Sequence, residues 1–290
     1  MKGIAMRHDM RNGLTRIEVI VVLAIVTTVI VLVLTSMFRI RSEPKWKRDE
    51  GHLRGIHQSM LIFAREFNGT FPVPGLIKRL PVERDGVKTF APGQGEEDIT
   101  QNTTANLFSV LIMNNYFPLE DCVGRTEPSD KVVFDEDFNW DVYDPANNIH
   151  WDENFKADLQ SESNVSYAHM PLFGERYRQL WRESLDESMP LLSHRGPKDG
   201  NDPNTVTFRI MSPYNAWRGI VIYGDGSFEL NTDMLRRGIK LDLNGTLVPD
   251  HLFKFDEDPP GGGGGGGGGA DAILTFTRSM TAEGPECAWD

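Results

Sequence analysis

Residues 11–38 read RNGLTRIEVIVVLAIVTTVIVLVLTSMF. From Val19 to Phe38 no charged residue interrupts it. At ~1.5 Å rise per residue, such a run makes a helix of ~30 Å, about the thickness of bilayer hydrocarbon. Thr27, Thr28, Thr35 and Ser36 sit where their hydroxyls reach back to helix carbonyls. A soluble core helix this apolar would be unusual. A cleaved secretory signal fits less well, because its apolar core is ~7–15 residues and ends at a small-x-small site. Here Met37-Phe38-Arg39-Ile40-Arg41 follows instead, as at the end of a span. A membrane helix is therefore expected over residues 19–38.

Charge is unevenly spread. Residues 1–48 hold nine Lys or Arg and three acids, a balance of +6, so the rest of a chain of net charge -12 carries -18. An acidic body argues against nucleic acid as the main partner, since phosphate binding needs a positive face. Basic residues lie on both sides of the apolar run: Lys2, Arg7, Arg11 and Arg16 before it, Arg39, Arg41, Lys45, Lys47 and Arg48 after it. Loop charge alone therefore sets no orientation.

The junction Arg11-Asn12-Gly13-Leu14-Thr15-Arg16-Ile17-Glu18-Val19 resembles the type IV prepilin processing motif. In that family a membrane peptidase cuts after the glycine and methylates the new N-terminus, and a glutamate stands at the fifth mature position. The resemblance implies cleavage between Gly13 and Leu14, an assembly role for Glu18, and a leader inside with the body outside. It also implies pairing of the Leu14 amine with Glu18 of a neighbouring subunit, which offsets the cost of a carboxylate beside hydrocarbon. A second reading of Glu18 is an acidic residue at a helix N-terminus, where the helix dipole favours it. Arg16 departs from the family, which usually has an apolar residue at that position, and Leu14 replaces the commoner phenylalanine.

Beyond Pro44, which should end or kink the first helix, Leu53, Ile56, Met60, Phe63 and Phe67 are spaced 3, 4, 3 and 4. That spacing predicts a helix over about Asp49–Asn68 with one apolar stripe packed in the core. Asn68-Gly69-Thr70 then gives a stop before Phe71-Pro72. A helix that ends in such a turn is similar, more loosely, to the outer stem of pilin-like proteins. Further helices are expected over Thr104–Tyr116 and Gly174–Ser188. Residues 120–165, rich in acids and aromatics, read as an insertion with little regular structure. Gly219–Leu230 holds two β-rich runs around Asp225-Gly226, a hairpin turn pair. Thr205–Ile210 suggests another strand. Nine glycines, 261–269, read as a flexible linker, and residues 270–290 as a disordered tail or a docked strand at Ile273–Phe276.

Few residues carry chemistry. Asp135, Asp137, Asp141 and Asp144 are candidate Ca²⁺ ligands, although no EF-hand loop is present and a solvated acidic loop is the plainer reading. No other cofactor is expected. Ser193-His194 with Asp199 gives no nucleophile geometry, and there is no G-x-S-x-G elbow. His150, His169 and His251 read as surface residues. Cys122 and Cys287 are too few for a metal site, and their spacing leaves a disulfide open.

These readings give an α+β fold: a long N-terminal membrane/stem helix packed on a small antiparallel sheet, pilin-like, with a loop-rich insertion. The expected parts are a leader (1–13), an assembly helix and basic junction (14–48), an extracytoplasmic domain (49–258) and a glycine linker with tail (259–290). The resemblance implies a non-enzymatic structural subunit of a type IV pilus-like or type II secretion pseudopilus-like filament, in or on the cytoplasmic membrane. Its partners would be prepilin peptidase, other pilin-like subunits and that membrane. The alternative is a signal-anchored extracytoplasmic enzyme or ligand-binding domain that does not polymerise.

Overall fold

The computed structural model describes residues 16–40, 44–185, 187, 189–197, 206–211, 216–243, 246–254, 274–281 and 284–288. The chain divides into two units, Met1–Pro44 and Lys45–Asp290.

In the first unit, α1 (Arg16–Ile40) is apolar apart from its ends. Thr27 and Thr28 donate to the carbonyls of Leu23 and Ala24 at 2.7 and 2.8 Å, so their hydroxyls are satisfied within the helix. Among the described residues no helix is long and apolar enough to cross a membrane. That finding corrects three expectations: the membrane stem helix, the transmembrane assignment and the single-pass cytoplasmic-membrane location.

The second unit opens with α2 (Lys45–Glu66), whose stripe of Leu53, Ile56, Met60 and Phe63 is buried. Phe67 lies past the helix end, half exposed, stacked on Phe63 at 4.1 Å. Asn68 and Gly69 take positive φ (56° and 77°), and Gly69 N–H returns to the Ala64 carbonyl, closing the helix as a left-handed cap does. The chain then turns inward. Phe71 meets Trp181 edge-on at 5.5 Å, and Trp181 Nε1–H donates to the Pro72 carbonyl at 2.9 Å. The short α3 (Pro74–Ile77) comes next, then the exposed hairpin β1 (Val82–Arg84) and β2 (Val87–Thr89). α4 (Thr104–Met113) is capped by Thr103, whose hydroxyl accepts from Asn106 N–H.

The main sheet has the order β3 (Tyr167–His169), β4 (Pro190–His194), β5 (Gly219–Tyr223), β6 (Phe228–Asn231), all antiparallel. Between β3 and β4 lies α5 (Gly174–Leu180). Every residue of β3, β4 and β5 is buried, so both faces of the sheet are covered. α2 lies against β4 and β5. The β5–β6 turn uses Gly226 at φ 81°, with Ser227 N–H donating to the Asp225 carboxylate at 2.8 Å. Two further hairpins complete the unit: β7 (Leu235–Leu243) with β8 (Thr246–His251), and β9 (Phe276–Thr281) with β10 (Gly284–Ala288).

The expected fold, one long stem helix on one small sheet, is therefore corrected. Among the described residues the chain is a mixed α/β protein with five α-helices and several separate antiparallel sheets, and α1 and α2 fall in different units. The expected strand at Thr205–Ile210 is a 3₁₀ turn over Val206–Arg209, because the short run closes on itself through Ile210 N–H to the Thr207 carbonyl. The helix expected over Gly174–Ser188 stops at Leu180, since Trp181 leaves to fill the core and Arg182 bridges to Thr70. Residues 120–165 are short turns, yet Phe138, Trp151, Phe155 and Leu159 are buried. That segment is part of the domain's packing rather than an appended insertion.

Candidate functional site

The expected processing junction lies at the edge of what the structure describes. Gly13 and Leu14 fall outside the described residues. Glu18 stands in the first turn of α1, where amide groups without intrahelical partners and the helix dipole favour a carboxylate. The apolar residues on either side of it are open to solvent: Ile17 is 73% exposed, Ile20 66% and Leu23 60%. In water such a helix is an uncovered apolar surface, and surfaces of that kind mark contact with something else.

The four candidate calcium ligands sit in tight local turns. Asp135 Oδ1 accepts from Asp137 N–H at 3.1 Å. Asp141 N–H is held by Asn139 at 3.0 Å. Asp144 accepts from the Asn147 backbone and side-chain amides at 3.3 and 2.6 Å. Among the described residues, no group of three or more His, Cys, Asp or Glu side chains is placed to hold a metal ion. Burial pushes the Asp135 carboxyl up, and repulsion from Asp152, Asp137 and Glu162 adds to it. Asp135 and Glu136 border a cleft of about 320 Å³ with Glu120, Phe134 and Trp140. Both rings are half exposed, and Trp140 leans on buried Phe138 at 4.7 Å.

A buried polar cluster joins the start of α2 to the end of β4. Asp49, with no solvent exposure, accepts from Arg125 N–H at 2.6 Å and Thr126 N–H at 3.1 Å, and the Thr126 hydroxyl bonds it as well. His194 Nε2 lies 3.2 Å from the same carboxylate. Ile220 N–H donates to His194 Nδ1 at 3.0 Å, which leaves Nε2 as the nitrogen that donates to Asp49. Burial would raise the Asp49 carboxyl, but the bonds from His194, Thr126 and Arg125 hold it below the ordinary carboxylate range. Next to it, Arg195 and Glu127 form a buried bidentate pair. These bonds pin the loop 124–129 to the sheet.

Sequence spacing gives no sign of this cluster, because its partners are 145 residues apart. Ser193 donates to its own neighbour's carbonyl at 2.6 Å, and His194 turns to Asp49, so no Ser-His pair forms. Asp199 lies outside the described residues. His169, expected at the surface, is fully buried: its Nδ1–H donates to the Met170 carbonyl at 2.7 Å and its Nε2 accepts from Thr104 Oγ1 at 2.8 Å. Burial lowers this imidazole to about 4. Cys122 and Cys287 are both free thiols, and burial raises both.

No family model, no curated protein and no solved structure matches the chain.

Proposed function

We propose that the chain is a structural subunit of a type IV pilus-like or type II secretion pseudopilus-like filament, cut by prepilin peptidase between Gly13 and Leu14. The observation that carries this reading is the placement of Glu18 in the first turn of an apolar helix whose Ile17, Ile20 and Leu23 lie uncovered. Helices of neighbouring copies, packed side by side, would cover that surface and remove it from water. A carboxylate at the entrance of such a bundle needs a cation, and the amine of Leu14 freed by cleavage supplies one to the neighbour's Glu18. The acidic body, at -18 beyond residue 48, suits a role in which nucleic acid is not the main partner. In this reading the chain performs no catalysis, and the Asp49–His194 cluster is a device that holds the domain together.

Intact mass and N-terminal sequencing of the protein from its native host test the reading. The expected terminus is Leu14 carrying one methyl group. A terminus at Met1, or one beyond residue 38, would overturn it.

A further inference from the structure

The chain after the glycine run returns to a place it has just left. Leu274 N–H donates to the Leu252 carbonyl at 2.7 Å. Between these two neighbours in space lie the twenty-one residues 253–273, nine of them consecutive glycines. A connection between adjacent segments in a compact domain commonly needs only ~2–6 residues. At ~3.3 Å per residue this one has a contour of ~70 Å, far more than its end points require.

The segment beyond the glycines docks as a separable plug. Leu274, Phe276 and Ala288 are buried in the core. Thr275 pairs with His169 in both directions, N–H to carbonyl at 3.0 and 3.3 Å, along the free edge of β3. Thr277 N–H donates to Thr104 Oγ1 at 2.8 Å, the same hydroxyl that donates to His169 Nε2. At the rim, Arg278 reaches Gln160 at 2.8 Å. The segment therefore completes a sheet edge and fills an apolar slot, as an added strand does in β-augmentation.

We infer that this C-terminal hairpin is exchanged between copies, the slot of one chain taking the tail of a second. Every contact just named is the same whether the tail comes from its own chain or a neighbour's, so only chain reach and local concentration decide. The long connection supplies the reach. Slot and tail are different surfaces, so the exchange either closes reciprocally into a dimer or runs on from copy to copy. It does not rest on cleavage at Gly13, and either idea stands if the other fails.

The test uses two full-length chains with distinct tags, each with Cys122→Ala and Cys287→Ala. One carries Gln160→Cys and the other Arg278→Cys, both at the exposed rim. The two are co-expressed, purified and treated with a short bismaleimide. A cross-linked heterodimer, rising with protein concentration, is the expected result. A single chain carrying both cysteines, treated at high dilution where exchange is suppressed, serves as the reach control and should link internally. If that control links while the mixed pair gives no heterodimer, the tail docks only in its own chain and the proposal is overturned. Deleting residues 261–269 should cut the heterodimer yield severalfold and leave the internal link intact. An unchanged heterodimer yield after that deletion would overturn the role given to the long connection.

Discussion

The imidazole of His194 accepts the Ile220 N–H on Nδ1 and presents its Nε2–H to the buried carboxylate of Asp49, 3.2 Å away. One ring thus ties the first turns of α2 to two adjacent strands of the main sheet. Asp49→Ala would leave the His194 Nε2–H and the amides of Arg125 and Thr126 without their acceptor. Stranded buried donors cost ~1–3 kcal/mol each, so the variant is expected to lose about 3 kcal/mol by urea unfolding. The sign with pH comes from the lowered Asp49 carboxyl. Its stabilisation is present above the unfolded value, near 3.8, and is lost as pH falls through the folded one. The stability gap between wild type and Asp49→Asn should therefore be constant from pH 7 to 5 and shrink below about pH 4. A gap that stays constant to about pH 2.5 would contradict the assignment.

His169 acts in a higher window. Burial takes its imidazole from 6.5 to about 4, against a weaker opposing effect of its bond to Met170. The unfolded chain therefore binds a proton that the folded chain refuses. Stability from this residue is complete above pH 6.5 and falls as pH drops toward about 4. A shift of this size corresponds to roughly 3 kcal/mol across that range. Urea midpoints at pH 7 and pH 5 should differ clearly in wild type, and the difference should narrow in His169→Asn. An equal difference in both proteins would place the acid sensitivity elsewhere, with His57, also lowered by burial, as the next group to examine.

How much of the fold was readable in advance depended on the range of the signal. The Leu53, Ile56, Met60, Phe63 stripe and the Asp225-Gly226 turn are local patterns, and both appear where their spacing put them. Phe67 continued the same spacing but lies past the helix end at the Asn68-Gly69 cap, half exposed. Val206–Arg209 alternates as a strand would, yet so short a run is too little to separate a strand from a tight turn. The pairing of β3 with β4, the Asp49–His194 bond and the docking of Thr275 on His169 join distant parts of the chain, and nothing near any of these residues announces its partner. Of the candidate site, Glu18 stands in the first turn of α1, Gly13 and Leu14 lie outside the described residues, and the four aspartates sit in turns of their own loop.

The Asp225-Gly226 turn also touches α2. Gly226 has φ 81°, and a Cβ there would sit 3.1 Å from His57 Cε1, while His57 Nε2 lies 3.3 Å from the Gly224 carbonyl. Gly226→Ala adds both the cost of a left-handed conformation, ~1–2 kcal/mol, and pressure on a packed ring. Gly86 offers a control, since it has φ 77° with nothing within 4 Å of its would-be Cβ. Gly86→Ala should cost about 1 kcal/mol and Gly226→Ala about 2 kcal/mol, read as shifts in chemical denaturation. Equal losses would show that His57 yields freely.

On the proposed reading, Glu18 separates processing from packing. If the carboxylate serves the neighbour's Leu14 amine, removing it should leave the cut after Gly13 unaffected, because the peptidase acts before copies meet. Glu18→Ala should therefore show cleavage at the same bond as wild type but a large loss of sedimentable assembly. Glu18→Gln keeps the shape and the hydrogen-bonding oxygen while removing the charge. An ion pair out of water is worth more than a neutral bond, and losing one partner leaves the other charge uncompensated. Glu18→Gln should then fail nearly as badly as Glu18→Ala. Substantial rescue by Glu18→Gln would mean that the residue caps the first turn of α1 through a hydrogen bond, which a neutral amide oxygen can also accept. Normal assembly by both variants would remove Glu18 from the contact between copies.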